Sequence, residues 1–172
     1  MSDEELNKVV GIIKHFFEEQ RIRYVLLVCS DRYVYRCGFS SHSLNYPNLQ
    51  LDLVVDSSSM QSYVSLPGKF EDAEDVIIKY VSRINPEFKL GRFEYNFRNG
   101  RVAFHLGQRV DIVKDGMPPQ ILMDQVYYPL TVMDRFADGF YDLVHGAASP
   151  KDAAVKYLNA NRTTDAEKRE AG

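Results

Sequence analysis

Apolar residues near the start of the chain recur at helical spacing: Leu6, Val9, Val10, Ile13, Phe16 and Phe17, with Lys8, Lys14, Glu18 and Glu19 among the polar remainder. Ser2 with Glu5 three residues on has capping-box spacing, so the chain is predicted to open with a helix. The period then changes from 3.6 to 2. Residues 22–29 and 32–38 are rich in β-branched and aromatic side chains around Ser30-Asp31. A two-residue loop there pairs Val28 with Tyr33, Leu26 with Tyr35 and Tyr24 with Cys37 on one face. It leaves Val25, Leu27, Cys29, Arg32, Val34 and Arg36 on the other. After a polar loop from Ser40 to Asn48, Leu49, Leu51, Leu53 and Val55 alternate with Gln50, Asp52 and Val54, the signature of a half-buried strand. With Asp56 to Ser59 as the turn, Val55 faces Met60, Leu51 faces Val64 and Leu49 faces Leu66, while Asp52 meets Tyr63 on the reverse side.

Pro67-Gly68 ends that strand, and Ala73, Val76, Ile77, Tyr80, Val81 and Ile84 mark a second helix. Its first turn carries Glu71, Asp72, Glu74 and Asp75, where the helix dipole favours acids, and Asn85-Pro86 stops it. Asn99-Gly100 is the preferred pair for a type I′ turn, which predicts a third hairpin with Phe97 against Val102, Tyr95 against Phe104 and Phe93 against Leu106. The reverse face then sets Arg98 by Arg101, Asn96 by Ala103 and Glu94 by His105. Beyond a loop with Lys114-Asp115-Gly116 and Pro118-Pro119, the apolar side of a long helix runs from Ile121 to Val144. Pro129 is predicted to kink or divide it near Tyr128, and His145-Gly146 to end it. Ser149-Pro150 opens a short helix from Lys151 to Asn159, and the tail from Arg162 is polar and expected to fray. The order α-ββ-ββ-α-ββ-α predicts an α+β domain: an antiparallel sheet of about six strands, built from three hairpins, with helices packed on one face.

Composition mainly excludes. At 172 residues, 45% apolar and 26% charged, the chain is ordinary for one soluble domain whose core needs no disulfide or metal. A net charge of −3 and a pI near 5.8 argue against a nucleic-acid partner. No apolar run approaches the ~18 residues of a membrane span, so no membrane partner is expected. An acidic N-terminus unlike a signal peptide and only two cysteines point to the cytoplasm.

Candidate chemistry is sparse. Cys29 and Cys37 are both odd-numbered, so a two-residue loop points them to opposite faces and no disulfide is expected. His15, His42, His105 and His145 stand far apart in different elements, outside any HExxH pattern, and no CxxC occurs. There is no Gly-x-Ser-x-Gly elbow, and the glycines at 100, 107 and 116 fit neither a P-loop nor a dinucleotide fingerprint. Neither catalysis nor a cofactor or metal is therefore expected. Asp134, Asp138 and Asp142 recur every four residues on one helix face. Paired carboxylates there suit acid–base work or a divalent ion, but the spacing reads as a solvated face.

The run Ile84-Asn85-Pro86-Glu87-Phe88-Lys89-Leu90-Gly91-Arg92-Phe93-Glu94 is followed by Asn99-Gly100-Arg101-Val102 and Phe104. With the tyrosines and Asp134 of the last long helix, this pattern resembles the YbjN family over roughly residues 3–146. These are bacterial proteins described as sensory-transduction regulators, with a fold similar to type III secretion chaperones. The resemblance implies a non-catalytic domain at 1–146, followed by a short helix and polar tail at 147–172. It transfers no catalytic residue. By analogy with the secretion chaperones it also implies a homodimer.

The arginines offer the remaining signal. In the predicted registers Arg36, Arg92, Arg98 and Arg101, with His105, fall on the sheet face away from the apolar one, as does Arg32. Arginine there keeps a sheet soluble, or forms a recognition surface for a protein partner or an anion. The expected function is accordingly a protein-binding, chaperone-like or regulatory domain that engages a protein partner through its sheet face or a groove. The alternative is a sensor of a small molecule or anion on the arginine face. An enclosed pocket with converging arginines favours the sensor, and a flat sheet with exposed apolar surface favours the protein partner.

Overall fold

The computed structural model describes residues 3–109 and 117–170. The Ser2 cap and the Lys114-Asp115-Gly116 loop lie outside them. The chain forms helix α1 (Asp3–Glu19), strands β1 (Tyr24–Val28), β2 (Arg32–Ser40), β3 (Asn48–Asp56) and β4 (Ser59–Ser65), and helix α2 (Glu74–Ile84). Strands β5 (Arg92–Asn96) and β6 (Arg101–Arg109) and helices α3 (Pro119–Val144) and α4 (Pro150–Glu170) follow. Short 3₁₀ turns, Glu71–Ala73 and Asn85–Glu87, flank α2. This is the α+β architecture expected from the pattern: one antiparallel sheet of six strands in the order β1-β2-β3-β4-β6-β5.

Alternation along each strand separates two faces. One continuous cross-strand row runs Tyr24, Cys37, Leu51, Val64, Phe104, Phe93, and its neighbour runs Leu26, Tyr35, Leu53, Ser62, Leu106. These rows form the floor of the core. Phe17 packs its ring on Tyr24 and Tyr35 at 5.3 and 5.5 Å between centroids, and the Tyr35 hydroxyl donates to the Val10 carbonyl at 3.1 Å, which fixes α1 on this face. Along α3, Leu122, Val126, Met133, Phe136 and Phe140 are buried in the same core. Ser62 is its buried polar member on the sheet, and its hydroxyl donates to Gln125 Oε1 of α3 at 2.7 Å.

The first two hairpins keep their predicted registers, with Leu26 opposite Tyr35 and Leu51 opposite Val64. The third does not. Its register is Phe93 with Phe104, Tyr95 with Val102 and Asn96 with Arg101, two residues from the type I′ expectation. The loop has four residues, because the Asn96 carbonyl accepts from both Asn99 N–H (3.2 Å) and Gly100 N–H (2.8 Å), and Asn96 Oδ1 accepts from Arg98 N–H (2.9 Å). Only Gly100 then needs positive φ (64°), and Phe97 is left outside the ladder, against Tyr95 and solvent. A shift of two preserves parity, so every strand side chain keeps its predicted face.

Two helix expectations also change. Pro129 does not divide α3, which runs unbroken from Pro119 to Val144. A proline removes one i→i−4 bond, but burial of apolar residues on both sides of it against one sheet keeps the two halves in line. The last helix continues to Glu170 instead of ending near Asn159. Its first half is fastened to the body: Ala153 and Ala154 are buried, and Arg135 of α3 donates to the carbonyls of Tyr157 and Leu158 at 2.8–3.1 Å.

Candidate functional site

Among the described residues no element lies over the second face of the sheet. Its central row reads Val25, Arg36, Asp52, Tyr63, His105, Arg92 across all six strands. Beside it runs Leu27, Val34, Val54, Gln61, Gly107, and on the other side Gly38, Gln50, Ser65, Ala103, Glu94. Three of the five predicted site residues, Arg36, His105 and Arg92, are thus brought into one row. Arg101 stands at the hairpin end of the same face, opposite Asn96. Arg98 is a correction: the four-residue loop takes it out of the strand, where no cross-strand partner aligns it with the others.

The row is not a bare cationic stripe. Arg36 makes a two-pronged pair with Asp52, Nε and Nη2 each 2.8 Å from a carboxylate oxygen. That bond and the charge behind it raise the arginine pKa further, so its cation is fixed in place. Glu94 accepts from Arg92 at 2.7–2.8 Å and from His105 Nδ1 at 3.0 Å. The His105 ring stacks flat on Tyr63, 4.5 Å between centroids and 5° between planes, and its Nε2 is buried with no partner. Tyr63 itself donates to Gln61 Oε1 at 2.6 Å. Arg36 and Arg92 are therefore neutralised by their own neighbours. Asp52 and Glu94 do this, and sequence reasoning did not assign them: the Asp52–Tyr63 neighbourhood was legible, but placing Arg36 beside Asp52 requires knowing that β2 pairs with β3.

The other half is apolar. Val25 and Leu27 on β1 are 59% and 40% exposed, and Val34 and Val54 continue the strip inward. Two hollows among the described residues lie elsewhere. One of about 420 Å³ sits where the β1–β2 and β3–β4 turns approach α1, lined by Leu6, Cys29, Asp31, Arg32 and Ser57 among others, with one arginine that Asp31 already holds. The other, of about 180 Å³, lies between Phe39, His42, Leu130 and Asp134 and contains no arginine.

The acidic repeat on α3 is the clearest departure from expectation, because it is not a solvated face. Asp134 accepts from the Ser41 hydroxyl, from His42 N–H (2.7 Å) and from His42 Nδ1 (2.8 Å). Asp138 accepts from the buried Ser43 hydroxyl (2.6 Å) and Asn45 Nδ2 (2.9 Å), and Asp142 from Lys156 Nζ (2.9 Å) and the Tyr157 hydroxyl (3.0 Å). The three carboxylates pin the 41–47 loop and α4 onto α3. Desolvation alone raises the Asp134 pKa, but the bonds from Ser41 and His42 outweigh it and hold the carboxyl below its usual range. The signal was available in the string Ser41-His42-Ser43-Leu44-Asn45, whose donors match the acids in order, but nothing local shows that loop and helix meet.

The thiols behave as the register requires: Cys37 is buried and its pKa is pushed up to about 12 by desolvation, whereas Cys29 is exposed. Among the described residues, no group of three or more His, Cys, Asp or Glu side chains is placed to hold a metal ion, and no helix is long and apolar enough to cross a membrane. No protein-family model matches the chain, nor does any curated protein or solved structure.

Proposed function

We propose that the protein is a non-catalytic binding domain, of the chaperone-like or regulatory kind the YbjN resemblance implies, whose open sheet face receives a protein partner. The observation that supports this is the uncovered apolar strip of Val25, Leu27, Val34 and Val54 beside a row of fixed ion pairs. An apolar strip beside oriented arginine and tyrosine has the make-up of a protein interface. The anion-sensor alternative draws less support, since Arg36 and Arg92 already hold Asp52 and Glu94 and neither hollow gathers arginines. The test is affinity capture from lysate with the parent and with Val34→Lys/Val54→Glu, whose paired charges face solvent. Circular dichroism first establishes that the fold is kept. The captured proteins are expected to disappear from the variant. An unchanged capture profile, repeated with Arg92→Glu/Arg101→Glu, makes the face a merely wet surface.

A further inference from the structure

The two edges of the sheet are treated differently. At β5, the Asn85 side chain donates to the Phe93 carbonyl (3.0 Å) and accepts from its N–H (2.8 Å), so it occupies the outward groups of Phe93 on that edge strand. At β1 no described residue does this. The first hairpin fixes which groups are left over. Cys29 N–H donates to the Arg32 carbonyl at 2.9 Å, so bonded pairs to β2 fall at Cys29, Leu27 and Val25. The backbone N–H and C=O of Tyr24, Leu26 and Val28 therefore point outward. Sheet edges are ordinarily protected by lysine, proline or a bulge. β1 has none of these: it reads Tyr-Val-Leu-Leu-Val, and Val28 at its end is 68% exposed.

We propose that β1 pairs antiparallel with β1 of a second copy of this chain, about a two-fold axis at Leu26, joining the two sheets into one. The strand is its own complement in that register. Tyr24 lies opposite Val28 of the second copy and Leu26 opposite its equivalent, so all the outward groups of both strands are bonded. Val25 lies opposite Leu27 of the second copy on the open face, apolar against apolar. A slide of two residues in either direction sets outward groups against Ile22 or Ser30, outside the strand. Joining at this edge also makes the Val25–Leu27–Val34–Val54 strip continuous across the axis. The inference concerns the edge and goes beyond the reading of the face.

Light scattering on the full chain, across a dilution series, is expected to report a dimer of twice the 19.8 kDa chain mass. Val28→Pro removes an outward N–H that no described residue uses, and an edge strand tolerates proline at such a position. That variant is expected to keep the parent's circular dichroism while its mass falls twofold. Val25→Lys/Leu27→Lys sets like charges opposite one another across the axis and is expected to do the same. Because both of those side chains face solvent, this second variant decides the matter if Val28→Pro fails to fold. A monomeric parent overturns self-pairing and leaves the edge to a strand of another protein, with the capture experiment on Val34 and Val54 unaffected. A dimer that survives both substitutions overturns it as well.

Discussion

Replacing Asp134 with alanine removes the acceptor that holds the start of the 41–47 loop. Its donors differ in how much they lose. The Ser41 hydroxyl is half-buried, and a hydrogen bond to an ionised carboxylate contributes about 1.5–3 kcal/mol. His42 is different, because its side chain is 98% exposed, so the ion pair is discounted to at most about 1 kcal/mol and its N–H rehydrates when freed. The expected loss is about 2–3 kcal/mol at neutral pH, read as a lower urea midpoint with an unchanged slope. Asp134→Asn keeps one acceptor oxygen and is expected to lose roughly half as much. The dependence on pH has a definite sign. The folded carboxyl titrates below the 3.8 of the unfolded chain, so its contribution is full above that value and is lost as the pH falls through the folded pKa. The gap between parent and Asp134→Ala is therefore widest at pH 5–7 and narrows below 3.8. A midpoint shared by parent and variant at pH 7, or a gap that stays constant down through that range, refutes the clamp.

Gly139→Ala replaces a poor helix former inside α3, which on propensity alone gains about 1 kcal/mol, yet the added Cβ runs into the Tyr80 hydroxyl. We expect net destabilisation in thermal unfolding, reduced but not abolished in a Tyr80→Phe background, because the ring carbon Cζ still stands 2.8 Å from the added Cβ while the removed hydroxyl has no partner to lose. Asn85→Ala leaves the Phe93 N–H and C=O of the β5 edge unpaired and is expected to cost about 1–3 kcal/mol. Hydrogen exchange should report it first as faster exchange at Phe93. Thiol labelling of the native protein is expected to modify Cys29 promptly and Cys37 only after denaturation, and equal rates at both contradict the face assignment. Gly100→Val forces a β-branched residue to φ 64° and is expected to lower stability by about 1–3 kcal/mol.

Period and parity alone determined the helix–hairpin order, the α+β class, the registers of the first two hairpins and the face on which each strand residue lies. Those features depend on neighbours in the chain and on a repeat of 2 or 3.6, so they survive even where a turn is misjudged. The third hairpin shows this: its loop changed from two residues to four, yet Phe93, Tyr95, Val102 and Phe104 stayed together. Length and continuity were harder to read. Pro129 is a breaker by local chemistry, and burial against the sheet overrides it. Only the tertiary structure decided which distant groups meet. Asp134, Asp138 and Asp142 look like a wet stripe until the 41–47 loop folds over them, and Arg36 and Arg92 look like free cations until Asp52 and Glu94 arrive beside them. The free β1 edge follows from strand order in the same way, since no single strand carries in its own sequence whether a neighbour will lie along it.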